Sequence, residues 1–462
     1  MFLNPLNPIT SRQKVLLVLI FVLIVLFGIW VEIRGAYLQR PMTDLGVYLR
    51  SAYAVKTGLD IYKITDDNDW HYVYPPFFAI VITPLADPPK GVDRTGYLPY
   101  KFTVGFWYVL TMLFGLLGVH ILAKALQEYS SLDLTNHLED KKKPNVTANK
   151  WDFINRPQVW WAIRVIPFLI LLVPIGRSQM RGQVGLIIAF LICMMCSAIL
   201  KGKRFQAGIW LSVATAIKVI PVYLFIVPLW RRDWRMIFGG LVGLFITLLV
   251  IPLFALGVDN TVSSYKSFFN EVLLAGVKGS SDTSRGGELT CISCTDSNSP
   301  MTVMHNIIHP DRISRPREAT TFVREAHWLL ALVMTLMTIY YAKWQGDKWY
   351  CHKVDEDLKE ILFVGLLLLL MCIISPVFHP HYISMIIPLI MVMLWMLWQR
   401  YGYRKEPIAY KIIFWFLIVS HIVTSIGGIF WFARDFGLVL FSSLLLWLLG
   451  LQLLKQGFAH ER

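Results

Sequence analysis

The chain has 462 residues, of which 56% are hydrophobic and only 16% are charged, and its formal net charge is +14. Soluble domains average about 25% charged residues, so this deficit excludes an ordinary soluble protein, and the many large apolar residues exclude a disordered or collagen-like chain. The Lys and Arg residues stand in short runs between apolar segments, a pattern typical of the cytoplasmic loops of membrane proteins. We therefore predict a membrane lipid environment and no nucleic-acid partner.

Apolar segments recur from one end of the chain to the other, and a spanning helix needs about 20 apolar residues. The long candidates lie near residues 14–33, 103–126, 158–175, 183–200, 236–257, 325–344, 361–375, 382–398, 410–432 and 436–454. We predict an all-α, polytopic transmembrane helix bundle with about 10–13 membrane segments, including short re-entrant ones. Such a bundle is expected to fold as a single domain over residues 1–462.

Shorter apolar pieces lie near residues 76–87, 205–217 and 219–230. The last two lie between basic clusters that begin at Lys201 and Arg231, and Lys218 and Pro221 interrupt them. Both clusters are expected on the cytoplasmic side, and proline disfavours a continuous helix between them. We therefore predict a re-entrant hairpin with Lys218 at its tip. Segment 76–87 is either a short span, which would invert the sides of the loops after it, or a piece that does not cross.

The charge pattern also predicts which loops share a side of the membrane. The polar loops near 34–75 and 258–323 are expected to be extracytoplasmic, and the basic loop near 127–157 is expected in the cytoplasm. The loop near 345–360 is assigned to the cytoplasm by counting spans, because its net acidic charge gives no independent signal. We predict a multi-pass protein of the cell (inner) membrane whose active site faces away from the cytoplasm.

Asp44 lies about ten residues beyond the first apolar run, with Tyr48 at helical spacing and Tyr62 and Tyr74 further along the loop. An acid just outside a membrane helix and close to aromatic residues suits sugar binding and proton abstraction. The alternative is a solvated loop acid. An acidic run in the same loop is interpreted as solvated residues rather than a cation site: Asp66, Asp67 and Asp69.

Polar and ionisable residues interrupt or flank apolar runs at three other places in the chain. Lys218 would cost about 2.5–3.5 kcal/mol within a membrane, so it is expected to face a polar partner unless it snorkels to an interface. Four polar residues precede a long apolar run and suit a lipid phosphate, or else a turn that faces headgroups: Arg177, Gln179, Arg181 and Gln183. His379 and His381 stand in a segment broken by prolines, where they could contact a phosphate or a sugar, or merely pack between two helices.

The sequence holds no P-loop, no G-x-G-x-x-G after a strand, no H-E-x-x-H and no G-x-S-x-G. We therefore predict no nucleotide domain and no bound cofactor, so any energy input must come from a gradient or from an activated lipid substrate. Cys291 and Cys294 form one C-x-x-C in the second outer loop, without the second ligand pair of a zinc site. Either a local disulfide or two free thiols fits this pair, and we predict no metal.

Several separate matches occur in a fixed order along the chain. They are the Asp44–Tyr48 start, G-x-x-I-Y at Gly58–Tyr62, Y-P-P-F at Tyr74–Phe77, G-Q at Gly182–Gln183, K-x-x-P at Lys218–Pro221, R-R-D-W at Arg231–Trp234 and S-P before a His-rich turn at Ser375–His381. Together, from about Asp44 to Pro388, they make the chain resemble glycosyltransferase family 87. This family comprises polyprenol-phosphate-mannose-dependent mannosyltransferases of the GT-C superfamily.

The resemblance implies a GT-C-type bundle that moves a hexose, mannose, from a polyprenyl monophosphate donor to a hydroxyl of a glycolipid, glycan or protein, with inversion. It implies Asp44 as general base, Lys218 and Gln183 as polar core positions, and His381 as the first His of S-P-x-x-W-x-H-H. This chain has His379 at the Trp position and Tyr382 at the second His, so either His could contact the phosphate.

We combine the resemblance with the residue patterns to predict the site. The donor-phosphate residues are Lys218, Arg181, His381 and His379. The substrate-binding residues are Tyr48, Tyr62, Tyr74 and Gln183. Broken helices and intramembrane charge also occur in transporters and lipid flippases, which form the alternative class. A structural subunit that keeps the fold without chemistry is a third possibility.

Overall fold

The computed structural model describes residues 11–38, 43–138, 157–274, 297–343, 353–403 and 435–456, with isolated positions between 289 and 292 and between 415 and 433. These residues are mostly helical and contain no strand beyond one isolated antiparallel bridge between Thr65 and His71. The prediction of an all-α fold is therefore confirmed. Segment 410–432, most of loop 127–157, and Cys291 and Cys294 lie largely or wholly outside the described residues.

The helices are numbered here in chain order. They are α1 Ser11–Glu32, α2 Thr43–Thr57, α3 Pro76–Val81, α4 Tyr100–Leu138, α5 Pro157–Ile170, α6 Leu172–Met180, α7 Gly185–Leu200, α8 Arg204–Ile217, α9 Ile226–Arg231, α10 Trp234–Phe245, α11 Ile251–Leu256, α12 Val258–Ser267, α13 Pro300–Ile308, α14 Thr321–Tyr341, α15 Lys353–Ile373, α16 Ile387–Tyr403 and α17 Leu438–Gln456. A π-helical turn, Ile246–Val250, joins α10 to α11, and 3-10 turns precede α9 and α16 at Ile220–Phe225 and Pro380–Ile386.

Six of the described helical stretches are long and apolar enough to cross a membrane. They are Gln13–Tyr37, Tyr100–Ser130, Trp234–Leu256, Thr321–Tyr341, Pro380–Trp398 and Leu438–Lys455. The buried centre includes α7, in which nearly every side chain is covered by protein, and the Pro380–Trp398 span. In contrast, α1 leaves most of its apolar surface exposed, as a helix that faces lipid does.

The predicted continuous segment 158–175 is in fact two helices. The axes of α5 and α6 are bent by 61° at their junction near Leu171. Pro174 in the first turn of α6 cannot donate a backbone hydrogen bond to the preceding turn, which explains why the helix breaks there. A broken span or a re-entrant pair thus replaces the straight span.

Segment 76–87, for which the sequence allowed a short span, does not form one. It folds as the six-residue helix α3 and a 3-10 turn at Thr83–Leu85. Crossing a bilayer takes about 20 helical residues, so this piece does not cross. Phe77 and Phe78 are instead buried against the bundle.

The hairpin predicted between the two basic clusters reverses the chain as expected. Arg204 starts α8 and donates from Nη1 to Glu360 Oε1 at 2.6 Å. Arg231 ends α9 and donates from Nη2 to Glu360 Oε2 at 3.2 Å. One carboxylate therefore joins both arms at their base, and Lys218 lies at the turn between them.

Glycines allow the first arm of the hairpin to lie against α10 with backbone contact. A Cβ on Gly208 would lie 2.1 Å from the Met236 carbonyl oxygen, and one on Gly239 would lie 2.1 Å from the Phe205 carbonyl oxygen. Ser212 Oγ donates to the Gly240 carbonyl oxygen at 2.6 Å across the same contact. Small residues and an interhelical hydrogen bond are typical of close helix packing in membranes.

The two ends of the bundle differ in the segments that meet there. At one end, here called the loop side, residues 43–99 meet residues 258–274, where Ser267 Oγ donates to Asp60 Oδ2 at 3.2 Å. At the other end, here called the charged side, the base of the hairpin meets the first turns of α15. The predicted pairing of the two long polar loops on one side is thus present among the described residues.

Candidate active site

Helix α2 brings Asp44 to the loop side of the bundle. Leu45, Tyr48, Leu49 and Ala52 recur at helical spacing and are buried, so this face of α2 packs against the bundle. Asp44 lies in the first turn of α2, at one edge of that face, and is half-buried.

The surroundings of Asp44 are aromatic and cationic. Its charge interacts with the ammonium group of Lys218 and with the phenols of Tyr48, Tyr74 and Tyr382. These partners lie on different segments, so the fold brings together residues that are far apart in the chain. Asp44 is therefore not a solvated loop acid, although its predicted role as a base stays a prediction.

Tyr48 connects the first loop to the turn before α7. Its Oη lies 3.3 Å from both Tyr74 Oη and Gln183 Oε1. Burial raises the pKa of Tyr48 and of Tyr74 well above the usual value for a phenol, so both stay neutral hydroxyls. Neutral hydroxyls and an amide can donate to and accept from sugar hydroxyls, in keeping with the predicted use of these residues.

A glycine makes the contact between α2 and this turn possible. Gly182 has φ +65°, and a Cβ there would lie 2.5 Å from Leu45 Cβ. Its carbonyl oxygen accepts a hydrogen bond from Trp107 Nε1 at 2.8 Å. This close approach places Gln183, the next residue, against Tyr48.

Tyr62 is completely buried, and its hydroxyl donates to the Tyr74 carbonyl oxygen at 2.8 Å. Its ring also packs on Phe268 of the second loop, with centroids 5.7 Å apart. These contacts hold Tyr74 in place. Contact between Tyr62 itself and a substrate stays a prediction, and it would need this aromatic cluster to open.

Lys218 lies where α8 ends. Its backbone is extended, with φ −145° and ψ 120°, and the residue is only 2% exposed. Its Nζ lies 4.1 Å from the centre of the Tyr382 ring and 5.4 Å from that of Tyr74. The electron-rich faces of these rings compensate part of the cost of burying an ammonium group.

A cavity of about 110 Å³ opens beside this cluster. Its lining is strongly cationic and consists of Arg34, Arg177, Met180, Arg181, His379, Pro380 and His381. Arg34 Nη1 also donates to the Met180 carbonyl oxygen at 2.8 Å, which ties the end of α1 to the end of α6. One guanidinium group can donate two parallel hydrogen bonds to the oxygens of a phosphate, so the lining of this cavity suits an anion.

The broken segment before α16 joins the cavity to Lys218. The rings of His379 and His381 are stacked, with centroids 5.1 Å apart, and both lie against Tyr382, at 5.6 Å and 4.9 Å. Tyr382 therefore contacts both Lys218 and the two cavity histidines, and it links the ammonium group to the cavity. Lys218 itself does not line the cavity, so its predicted contact with a donor phosphate stays a prediction.

One cationic residue of the cavity, Arg34, was not assigned to the site from the sequence. Arg34 follows an ordinary apolar helix, and nothing in the sequence indicates that it meets Met180, 146 positions away. Arg177, by contrast, was grouped with Arg181 in the sequence as a candidate for contact with a lipid phosphate, and it stands four residues before Arg181, at the spacing that places two helical side chains on one face.

The acidic run of the first loop was interpreted as solvated residues, but Asp66 is buried and has structural partners. Asp66 accepts hydrogen bonds from the backbone N–H groups of Asn68 and Trp70, at 2.8 Å and 3.0 Å. Asp67 pairs with Arg50 at 2.9 Å. Among the described residues, no three His, Cys, Asp or Glu side chains come together as metal ligands.

Comparison with known protein families identifies the family of this chain. The profile of glycosyltransferase family 87 matches residues 72–376, well over half of the 462 residues. The matched region includes Tyr74, Arg181, Gln183 and Lys218, whereas Asp44 precedes it. No curated protein matches the chain. The length of the match shows that the chain belongs to glycosyltransferase family 87 and is a membrane glycosyltransferase.

Proposed function

We propose that this glycosyltransferase takes its sugar, mannose, from a polyprenyl monophosphate and transfers it to a hydroxyl of a glycolipid, glycan or protein. The cationic cavity at the broken segment before α16 is the observation that supports this donor class. Three arginines and two histidines line it. The choice of mannose rests on the resemblance of the sequence motifs to the mannosyltransferases of the family.

The donor phosphate would lie in the cavity, where Arg181 provides charge and hydrogen bonds and the rings of His379 and His381 provide hydrogen bonds. The cavity lies beside the end of α1, a helix with an exposed apolar surface that suits a prenyl chain better than a nucleotide. The sequence also lacks the glycine-rich motifs that bind nucleotide phosphates. The departing polyprenyl phosphate gains charge as the bond to the sugar breaks, and fixed cations stabilise that charge without a metal.

Asp44 would act as the general base. Its carboxylate takes the proton of the acceptor hydroxyl while that oxygen forms a bond to the anomeric carbon. The bond between the anomeric carbon and the phosphate oxygen breaks in the same step, and its electron pair leaves with the polyprenyl phosphate. A single displacement inverts the configuration at the anomeric carbon. Tyr48, Tyr74 and Gln183 would hold sugar hydroxyls, and Lys218 would stabilise the charge that develops.

The active site would face away from the cytoplasm of the cell membrane. Lys201, Lys203 and Arg204, together with Arg231, stand at the charged side, opposite the site. Short basic segments stay in the cytoplasm during insertion, which supports this orientation.

Transfer is tested with purified protein, radiolabelled polyprenyl-phosphate-mannose and a mixture of membrane glycolipids as acceptors. The wild type is expected to move label into an acceptor. Asp44→Asn should lower the rate by about 10²–10⁴-fold, the usual contribution of a general base. The matched control is Asp69→Asn, because Asp69 is exposed and its positive φ of 61° suits Asn equally well.

Two outcomes would reject the proposal. Full activity of Asp44→Asn rejects Asp44 as the base. Label that crosses a liposome membrane without passing to any acceptor supports the transporter or flippase alternative.

A further inference from the structure

The segment between α15 and α16 cannot form a complete set of helical backbone hydrogen bonds. Pro376 and Pro380 cannot donate, and they prevent the helix from continuing. Non-helical backbone inside a membrane bundle persists only when other groups satisfy its N–H and C=O groups. The partners of this segment therefore determine its conformation, and with it the positions of His379 and His381.

Residues of the second large loop provide most of these partners. Ser299 Oγ donates to the Pro376 carbonyl oxygen at 2.7 Å. The Phe378 N–H donates to Ser297 Oγ at 3.0 Å, and the Phe378 carbonyl oxygen accepts from the Asn298 N–H at 2.6 Å. Three consecutive residues of one loop thus hold the segment immediately before His379.

A fourth partner holds the start of the break. His327 Nε2 lies 3.0 Å from the Ile374 carbonyl oxygen, which can only accept, so Nε2 is the donor. Ser375 Oγ donates to the Val377 carbonyl oxygen at 2.9 Å, and the Tyr382 N–H donates to the His379 carbonyl oxygen at 2.9 Å. Side chains and local turns thus replace the missing helical hydrogen bonds.

The residues that hold the break are themselves fixed. Ser297 and Ser299 are buried, and Ser297 Oγ also accepts from the Ser299 N–H at 3.2 Å. Ser299 begins α13 as its N-cap, where Oγ accepts from the Thr302 N–H at 3.1 Å. A capped helix is a rigid support, so small displacements of the break are resisted.

We propose that Ser297 and Ser299 are positioning residues of the cavity and that they set the affinity for the lipid-phosphate donor. Neither hydroxyl lines the cavity, and each acts through the backbone that carries His379 and His381. The inference rests on the proposed function for the identity of the donor. It goes beyond that function, because it assigns part of the second large loop to donor binding.

The test compares Ser297→Ala and Ser299→Ala with Ser443→Ala in full-length protein. Ser443 is also fully buried, but its hydroxyl donates within α17, to the Val439 carbonyl oxygen. We expect either cavity variant to raise the donor KM and the Kd for radiolabelled polyprenyl phosphate by about tenfold, the usual effect of one lost buried hydrogen bond. The acceptor KM and the values for Ser443→Ala should not change.

A purely structural role predicts a different result. It would lower the fraction of folded enzyme, so that kcat falls while the donor KM and the Kd for polyprenyl phosphate stay the same. The proposal would be overturned if the folded fraction of both variants had the donor KM and the Kd for polyprenyl phosphate of the wild type. Since either serine can be tested alone, a variant that fails to fold leaves the other to decide.

The binding measurement separates this inference from the proposed function. If the wild type binds polyprenyl phosphate but transfers no mannose, the proposed function fails, and the Kd of the two variants still tests the positioning role. If the wild type binds no polyprenyl phosphate, both proposals fail. If it binds and transfers but Ser297→Ala and Ser299→Ala match it, only the positioning role is rejected.

Discussion

Lys218 holds an ammonium group in a position that is 2% exposed, between the rings of Tyr382 and Tyr74. Burying a charge costs several kcal/mol even after compensation, and an apolar side chain of similar size would serve the fold at least as well. The nearby charge of Asp44 offsets part of this cost. The buried ammonium group thus does not improve the stability of the fold. Its position beside an acid, in a glycosyltransferase, supports a role in sugar transfer rather than in folding.

Arg34 leads to a prediction at the same scale. It lines the cavity from the end of α1, so Arg34→Ala removes one of three guanidinium groups that would face the donor phosphate. Hydrogen bonds to charged groups contribute about 1.5–3 kcal/mol, so the donor KM should rise about 10–100-fold. The measurement is the transfer rate at varied donor concentration.

The control for Arg34 is Arg317→Ala. Arg317 is exposed and lies on the loop side, outside the cavity lining. It should leave the donor KM unchanged. Equal donor KM values for Arg34→Ala and the wild type would remove Arg34 from the site.

The two cations differ in how visible they are in the sequence. Lys218 interrupts an apolar run, and the cost of burying it is enough to single it out. Arg34 stands just past a helix end, where cations are common, and its partner Met180 is 146 residues away. Spacing reports which residues share a helix face, but a contact between distant helices requires the fold.

At the scale of elements, the hairpin of α8 and α9 holds Lys218 at its tip and Glu360 at its base. Both oxygens of Glu360 are used, one by Arg204 and one by Arg231. Arg204 also reaches Asp357 at 2.6 Å, and Arg231 reaches Glu356 at 3.0 Å. The acidic first turns of α15 thus neutralise the basic ends of the hairpin, which explains why these carboxylates lie on the charged side.

We predict that Glu360→Ala destabilises the protein by about 3–5 kcal/mol, because it leaves two largely buried arginines short of a partner. The side chain of Glu360 is only 2% exposed. The midpoint of thermal unfolding in detergent can be followed with a thiol-reactive dye, since Cys193, Cys196 and Cys372 are buried in the folded state.

Glu128→Ala is the matched control for this ion pair. The side chain of Glu128 is 48% exposed, and its pairing with Lys201 at 3.9 Å is a surface contact. Exposed pairs contribute about 0–1 kcal/mol, so the unfolding midpoint should hardly move. Equal midpoints for the two variants would mean that Glu360 does not hold the hairpin.

The hairpin was predictable because charge and proline gave independent signals for a reversal. The break between α5 and α6 was missed although Pro174 marks it, because apolar length alone suggested a continuous span. For α3, hydropathy could not distinguish a short span from six residues packed against the bundle. For α3 the deciding factor was the packing against neighbouring helices, which apolar composition does not encode.

For the whole molecule, the two ends differ in the use of their charged residues. On the charged side, ion pairs join the base of the hairpin to its neighbours: Lys201 pairs with Glu128 of α4, and Arg204 pairs with Asp357 at the start of α15. On the loop side, cations line the cavity instead. The sequence predicted which segments share a side, whereas the cavity itself is lined by three segments that are distant in the chain.

The orientation of the bundle can be tested with two single-cysteine variants, Lys90→Cys and Lys203→Cys. The background has Cys291, Cys294 and Cys351 replaced by Ser and keeps the three buried cysteines. Lys90 is 84% exposed and lies on the loop side, and Lys203 is exposed on the charged side. Sealed right-side-out membrane vesicles are then treated with a membrane-impermeant maleimide.

If the basic segments stay in the cytoplasm, the label should reach Lys90→Cys in sealed vesicles and reach Lys203→Cys only after the vesicles are opened with detergent. The reverse pattern would place the cavity in the cytoplasm, where the acceptor would be a cytoplasmic molecule. Family membership would survive that result, because the profile match carries no orientation. Labelling therefore separates the direction of the site from its chemistry, and the direction decides which pool of acceptors the enzyme can reach.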